Sequence, residues 1–134
     1  MTNVHIRGLT IDVSDRDHAE RFWGGLLGLT VTRRIDQYSY FDDAAEGVRL
    51  VLQEVPDPKV TKNRMHLDLS SDDPQALLDD VVSLGGRVIS DVEDPSYSLT
   101  VACDPDGNEF CVARRLSAGL THDPRTQPGR DAHG

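Results

Sequence analysis

The stretch Asn63–Asp73, NRMHLDLSSDD, sets the reading of the fold. Met65, Leu67 and Leu69 alternate with His66, Asp68 and Ser70, the two-residue period of a strand with one apolar and one polar face. A helix is expected directly after it, with Asp72 or Asp73 as cap and Pro74 in the first turn, where a missing N–H is harmless. The arrangement occurs twice. IDVSDRDHAERFWGGLLGLTV from Ile11 aligns with LDLSSDDPQALLDDVVSLGGRV from Leu67, putting Asp12 on Asp68 and Ser14 on Ser70. After a one-residue insertion, Asp15 falls on Asp72, Ala19 on Ala76, Leu27 on Leu84, Gly28 on Gly85 and Val31 on Val88. Asp caps and terminal glycines are common to any strand–helix unit, but two aligned copies of this length in 134 residues predict a duplicated fold.

By length the chain is one domain, so the two copies are expected to be lobes of one α+β fold. A net charge of −9, from 23 Asp and Glu against 14 Lys and Arg, repels phosphate backbones, and no clustered basic stripe offsets it; nucleic acid is not an expected partner. MTNVHIRGLT has neither the cationic start nor the apolar run of a signal peptide. No segment approaches the ~18 apolar residues of a membrane span, so no membrane association and a cytoplasmic location are expected. If Asp104 to Gly107 forms a tight turn, Cys103 faces Asn108 and Cys111 faces Thr100. That sets the thiols about 10 Å apart along the ribbon, beyond the ~7 Å Cα separation of a disulfide, and two free thiols in a reducing compartment are expected.

Before the first helix, Val4 and Ile6 share one parity and Leu9, Ile11 and Val13 the other, which calls for a bulge or a strand start near Arg7 and Gly8. Ser14 or Asp15 caps a helix whose Ala19, Phe22, Trp23, Leu26 and Leu27 recur at helical spacing up to Gly28, with Trp23 as a core anchor. Three strands follow at 29–34, 38–42 and 48–55, and Pro56–Asn63 has the Pro and Lys content of an exposed loop, with no role expected for Lys59 or Lys62. In the second lobe Leu77, Leu78, Val81, Val82 and Leu84 make the helix stripe, ended by Gly85 and Gly86. Strands follow at 87–92, 97–103 and 108–114, with Pro105 and Asp106 at the centre of a turn and Gly107 taking a positive φ. The expected organisation is one domain over 1–115, made of module one at about 4–55, a linker at 56–62 and module two at about 63–115, then a flexible tail over 116–134 that is rich in Pro, Gly and polar residues.

Two βαβββ modules in tandem, with His66 in HLDLSSDD and a closing DPDGNEFCV hairpin, resemble the vicinal oxygen chelate superfamily, which holds glyoxalases, bleomycin resistance proteins and dioxygenases. The resemblance covers about Val4 to Arg114 and is nearest to the glyoxalase-like proteins of actinobacteria. It implies a cup-shaped mixed sheet, often completed by a second subunit, so a homodimer is expected. In the superfamily's metalloenzymes, a His or Glu from the first and last strands of each lobe holds a divalent cation that acts as a Lewis acid. Carried over by position, those four places are Gly8, Val51, His66 and Cys111. One imidazole and one thiol make a poor cage for a hard cation, and no metal cofactor is expected.

The inferred cup lining is Thr10, Asp12, Arg49, Gln53, His66, Asp68, Glu109 and Cys111, with Tyr38 or Tyr40 at the rim, and the expected ligand is a small organic molecule. The competing arrangement has Asp12, Asp68 and His66 satisfying one another and Arg49 pairing with Glu109. The alternative function is a metal-dependent lyase, isomerase or dioxygenase with an altered site from His66, Glu109 and Asp12 or Asp68. Cys111 as a nucleophile would need a cation beside it, and a small buried hydrophobe is its expected role. No Ser-His-Asp spacing, phosphate loop or dinucleotide fingerprint is present.

Overall fold

Leu9, Ile11 and Val13 point one way from an extended segment and Thr10 and Asp12 the other, so the first strand buries only one face. In the computed structural model, which describes residues 3, 5–42 and 48–116, this is β1 (Gly8–Val13). There follow α1 (Arg16–Leu27), β2 (Val31–Ile35), β3 (Tyr38–Phe41) and β4 (Arg49–Glu54). The second set is β5 (Leu67–Leu69), α2 (Pro74–Ser83), β6 (Arg87–Asp94), β7 (Tyr97–Cys103) and β8 (Glu109–Leu116). The order is βαβββ twice, an α+β fold. Each module closes a four-stranded mixed sheet, β1-β4-β3-β2 and β5-β8-β7-β6, in which the first strand runs parallel to the last.

The helices explain the parallel pairings, since a parallel neighbour can be reached only by a crossover that packs on the sheet. Asp15 caps α1 by accepting from the His18 N–H, and Gly28 ends it in the left-handed region at φ 68°. Asp73 caps α2 by accepting from the Ala76 N–H, with Pro74 at the first position. Both helices lie on one continuous core. Phe22 and Trp23 of α1 meet Phe110 of β8 at ring-centroid distances of 6.1 and 5.2 Å, so the helix of module one is packed on the last strand of module two. Burying each such aromatic contributes roughly 2–3 kcal/mol, and the apolar faces of α1, β4, α2 and β8 converge on the same cluster.

Several sequence expectations are corrected in detail. The strand expected through His66 begins only at Leu67, and Met65, placed on its apolar face, is 77% exposed. Val82 of the α2 stripe also faces outward, leaving Leu78 and Val81 as the buried pair. The repeat holds at Gly28 and Gly85, both at positive φ, but slips one residue at the caps, where Asp15 corresponds to Asp73 and not Asp72. Gly107 takes φ 90° and donates to the Asp104 carbonyl, as the turn requires. However, Asp104 also donates to the Asn108 carbonyl, so the loop is one residue longer than a tight turn. The register therefore sets Cys103 opposite Glu109 and Cys111 opposite Val101, and both thiols are free. β8 runs on to Leu116, which pairs with Tyr97. Of the two alternatives near Arg7 and Gly8, a bulge or a strand start, the chain takes the second, with β1 starting at Gly8. Val4 itself and the tail expected beyond Leu116 lie outside the described residues.

Candidate functional site

β1 and β5 are each the free edge of their sheet, and the space between them is the natural place for a cleft. A hollow of about 310 Å³ lies there. Leu9, Ile11, Trp23 and Leu67 give it apolar walls, and Thr10, Asp12, Asn63, His66, Asn108 and Glu109 supply the polar groups. Asn108 Nδ2 donates to the Asp12 carbonyl at 2.9 Å, closing one end of the seam between the modules. Asn63 Oδ1 accepts from the Glu109 N–H at 3.2 Å, while its amide donates to the Met65 carbonyl at 3.1 Å. This bonding holds the linker against β8. The sequence pattern puts Asn63 at the end of the loop and Asn108 at the start of a strand, and a lone amide carries no periodic signal that marks either as part of a site.

Seven of the eight residues expected in the cup divide among three places. Thr10, Asp12, His66 and Glu109 line the seam hollow. Thr10 and Arg49 line a second, wider hollow with Tyr38 and Tyr40 on the open face of the first sheet. His66, Asp68 and Cys111 form a group whose potential ligand atoms all lie within 4.8 Å of one another. Gln53 is paired in register with Asp12 and Tyr38, on the same sheet face, but lines none of these hollows. Glu109 is bound by Lys62, where the competing arrangement paired it with Arg49, and Lys62, expected to be a solvated loop residue, has a partner in the site.

His66 Nδ1 lies 3.2 Å from Asp68 Oδ1, a half-exposed pair at the mouth of β5. The Cys111 thiol beside them is pushed up by burial and then by the negative charge of Asp68, which outweigh Lys62; it is therefore kept as a thiol at neutral pH. Burial alone is the main cause that raises Cys103. Of the four superfamily positions, Gly8 and Val51 offer no donor atom, and one imidazole and one thiol by themselves are a poor donor set for a hard divalent cation. At Gly8 the backbone lies against the Arg49 carbonyl, with 3.3 Å left for an added Cβ.

Residues 8–113 match the family model described as a glyoxalase-like domain. Among solved structures, a glyoxalase-related enzyme from Fulvimarina pelagi is 20% identical, with a TM-score of 0.65 over 81% of this chain and 86% of that one. A glyoxalase/bleomycin resistance protein/dioxygenase family enzyme from Burkholderia phytofirmans PsJN is 15% identical, with a TM-score of 0.68 over 84% of this chain and 100% of that one. An antibiotic binding protein, TnmS3 from Streptomyces sp. CB03234, is 21% identical, with a TM-score of 0.62 over 86% of this chain and 98% of that one. At such identities the likeness is one of fold. No curated protein matches the chain.

Proposed function

The chain belongs to the glyoxalase-like domain family, and on that footing we propose that it binds a small organic molecule in its cup without the divalent metal of the superfamily's enzymes. The observation that carries this reading is the seam hollow, whose volume of about 310 Å³, apolar walls and few convergent polar groups suit a compact ligand. The donor-free residues Gly8 and Val51 support the absence of a metal. The fold shared with a protein described as antibiotic binding supports a carrying or sequestering role. A thermal-shift screen of small organic molecules on chelator-treated protein tests it, because a ligand that binds only the native chain raises the melting temperature. A stabilising compound whose effect is weakened by His66→Ala is the expected result. A stoichiometric divalent ion in the purified protein that is lost on His66→Ala overturns it.

A second reading, a metal-dependent lyase, isomerase or dioxygenase around His66, is favoured by the gathering of His66, Asp68 and Cys111. Asp68 would take the part first given to Glu109, which Lys62 engages. Turnover that survives both chelation and Asp68→Asn counts against it.

The same proposal assigns the chain to the actinobacterial glyoxalase-like proteins, in the cytoplasm, as a homodimer. No helix among the described residues is long and apolar enough to cross a membrane. The dimer is supported by the open edge at β6, where Val88 and Ile89 are exposed. Light scattering is expected to give twice the 14.8 kDa chain mass, and a mass of one chain contradicts it.

A further inference from the structure

Much of the polar lining of the seam hollow is already committed within the chain. Asn63 accepts from the Glu109 N–H and donates to the Met65 carbonyl, and the Asn108 amide donates to both the Asp12 carbonyl and Asp104 Oδ2. Glu109 holds the Lys62 ammonium, and His66 Nδ1 faces Asp68. The side-chain groups left without a partner among the described residues are the Asp12 carboxylate, the Thr10 hydroxyl, His66 Nε2 and Asn108 Oδ1. With Nδ1 donating to Asp68, every one of them accepts hydrogen bonds. Lys59 and Lys62 border Asp12 in the adjoining hollow, but their ammonium groups hold the Thr61 carbonyl and Glu109. The walls also grade from apolar to polar. Leu9 and Ile11 lie against the core on one side of β1, and Trp23, 1% exposed, is the most deeply buried wall. Thr10 and Asp12 stand on the opposite, exposed side of the strand, about 7 Å apart along it.

We propose that the seam hollow takes a protonated primary amine, with its ammonium on the Asp12 carboxylate and the Thr10 hydroxyl and its apolar body against Trp23, Leu9 and Ile11. The proposal rests on the small-molecule reading above and names the class of ligand. An ammonium brings three N–H donors to a lining whose unused groups are acceptors, and its hydrogen bond to a carboxylate is charge-assisted. A neutral alcohol of the same shape takes Asp12 out of water without a countercharge. A carboxylate ligand meets like charge at Asp12 and Glu109, in a chain whose net charge is −9.

Titration calorimetry of the full chain at pH 7 with 2-phenylethylamine, the neutral 2-phenylethanol and the anionic 3-phenylpropanoate tests this. Trp23 is the one tryptophan in the sequence, so its emission reports whether a compound enters the seam. The amine is expected to bind at least tenfold more tightly than the alcohol and to change that emission, and the propanoate not to bind measurably. Asp12→Asn is expected to weaken the amine about tenfold and leave the alcohol unchanged, which also shows that the hollow is intact. Thr10→Val is expected to weaken the amine about threefold, and the amine affinity should fall with added salt. Equal binding of amine and alcohol, amine binding indifferent to Asp12→Asn, or amine binding that leaves Trp23 emission unchanged overturns the amine assignment. If the amine fails while neutral molecules still stabilise the protein in a His66-dependent way, this inference falls and the seam-binding reading stands. If no organic molecule binds, both fall.

Discussion

The indole nitrogen of Trp23 donates to Oδ2 of Asp104 at 3.1 Å, joining residues 81 positions apart and, with them, the helix of module one to the hairpin of module two. Both are buried. Asp104 also accepts from the Asp106 and Asn108 backbone N–H groups at 2.9 and 2.8 Å and from the Asn108 side chain at 3.0 Å. Asn108 continues the connection to the Asp12 carbonyl at the seam, so one carboxylate organises the junction that shapes the hollow.

Burial pushes the Asp104 carboxyl above its ordinary value of 3.8, although Asn108 and Trp23 pull the other way. A carboxyl raised by folding holds its proton more tightly in the native chain. Its contribution to stability is therefore fully present at acid pH and declines as the pH rises from about 4 through the native pKa. Asp104→Asn turns an acceptor into a group with donors facing N–H donors and should cost roughly 2–3 kcal/mol at pH 7. Urea unfolding between pH 4 and 7 checks the sign: the advantage of wild type over Asp104→Asn should narrow as the pH rises. A gap that widens would contradict it.

Glu20 supplies the opposite dependence. Burial raises its carboxyl, but hydrogen bonds from Arg34 and Ser39 outweigh that and hold it below its ordinary 4.5. Arg34 meets it with two N–H groups, both at 2.8 Å, and so ties β2 to α1. This contribution is present above about pH 4.5 and is lost as the carboxylate is protonated below it. Glu20→Gln should cost about 1 kcal/mol at pH 7, and its difference from wild type should shrink as the pH is lowered through 4.

These two carboxylates also show where the sequence was informative. The duplicated strand–helix unit, the glycine stops and the hairpin turn are local patterns, and they make the two modules legible in the sequence. Asp104 was legible only as a turn residue, because its partner Trp23 is a long way off in sequence. The candidate site divided for the same reason. Strand parity correctly put Thr10, Asp12 and Arg49 on one sheet face, but it could not tell that Lys62 from the linker reaches Glu109, or that His66 stops short of the strand.

Gly86 gives a prediction that its role as a helix stop does not. An added Cβ would lie 2.5 Å from the Cys103 carbonyl oxygen, 2.8 Å from Phe22 Cε1 and 2.9 Å from Val81 Cγ1. The first is backbone in a paired strand and cannot turn aside. Gly86→Ala should therefore destabilise by about 2–3 kcal/mol despite its smaller loss of chain entropy, as measured by the urea midpoint. An unchanged midpoint would mean that α2 and β7 can part by several tenths of an ångström.

The remaining prediction concerns Cys111, since a nucleophilic role and a packing role differ in measurable chemistry. Its thiol is raised by burial and by Asp68, with Lys62 opposing, so little thiolate exists at neutral pH. Iodoacetamide should react with it more slowly than with free cysteine at pH 7.5, and Cys103, fully buried, should react only after unfolding. Asp68→Asn removes the charge that disfavours the thiolate and should speed the reaction roughly two- to fivefold, whereas Lys62→Gln should slow it. Mass-resolved alkylation rates for the folded variants separate the two sites. If Cys111 in the wild-type chain reacts faster than free cysteine, the neighbouring imidazole is activating it, and the His66, Asp68 and Cys111 group must be read as reactive and not merely as lining.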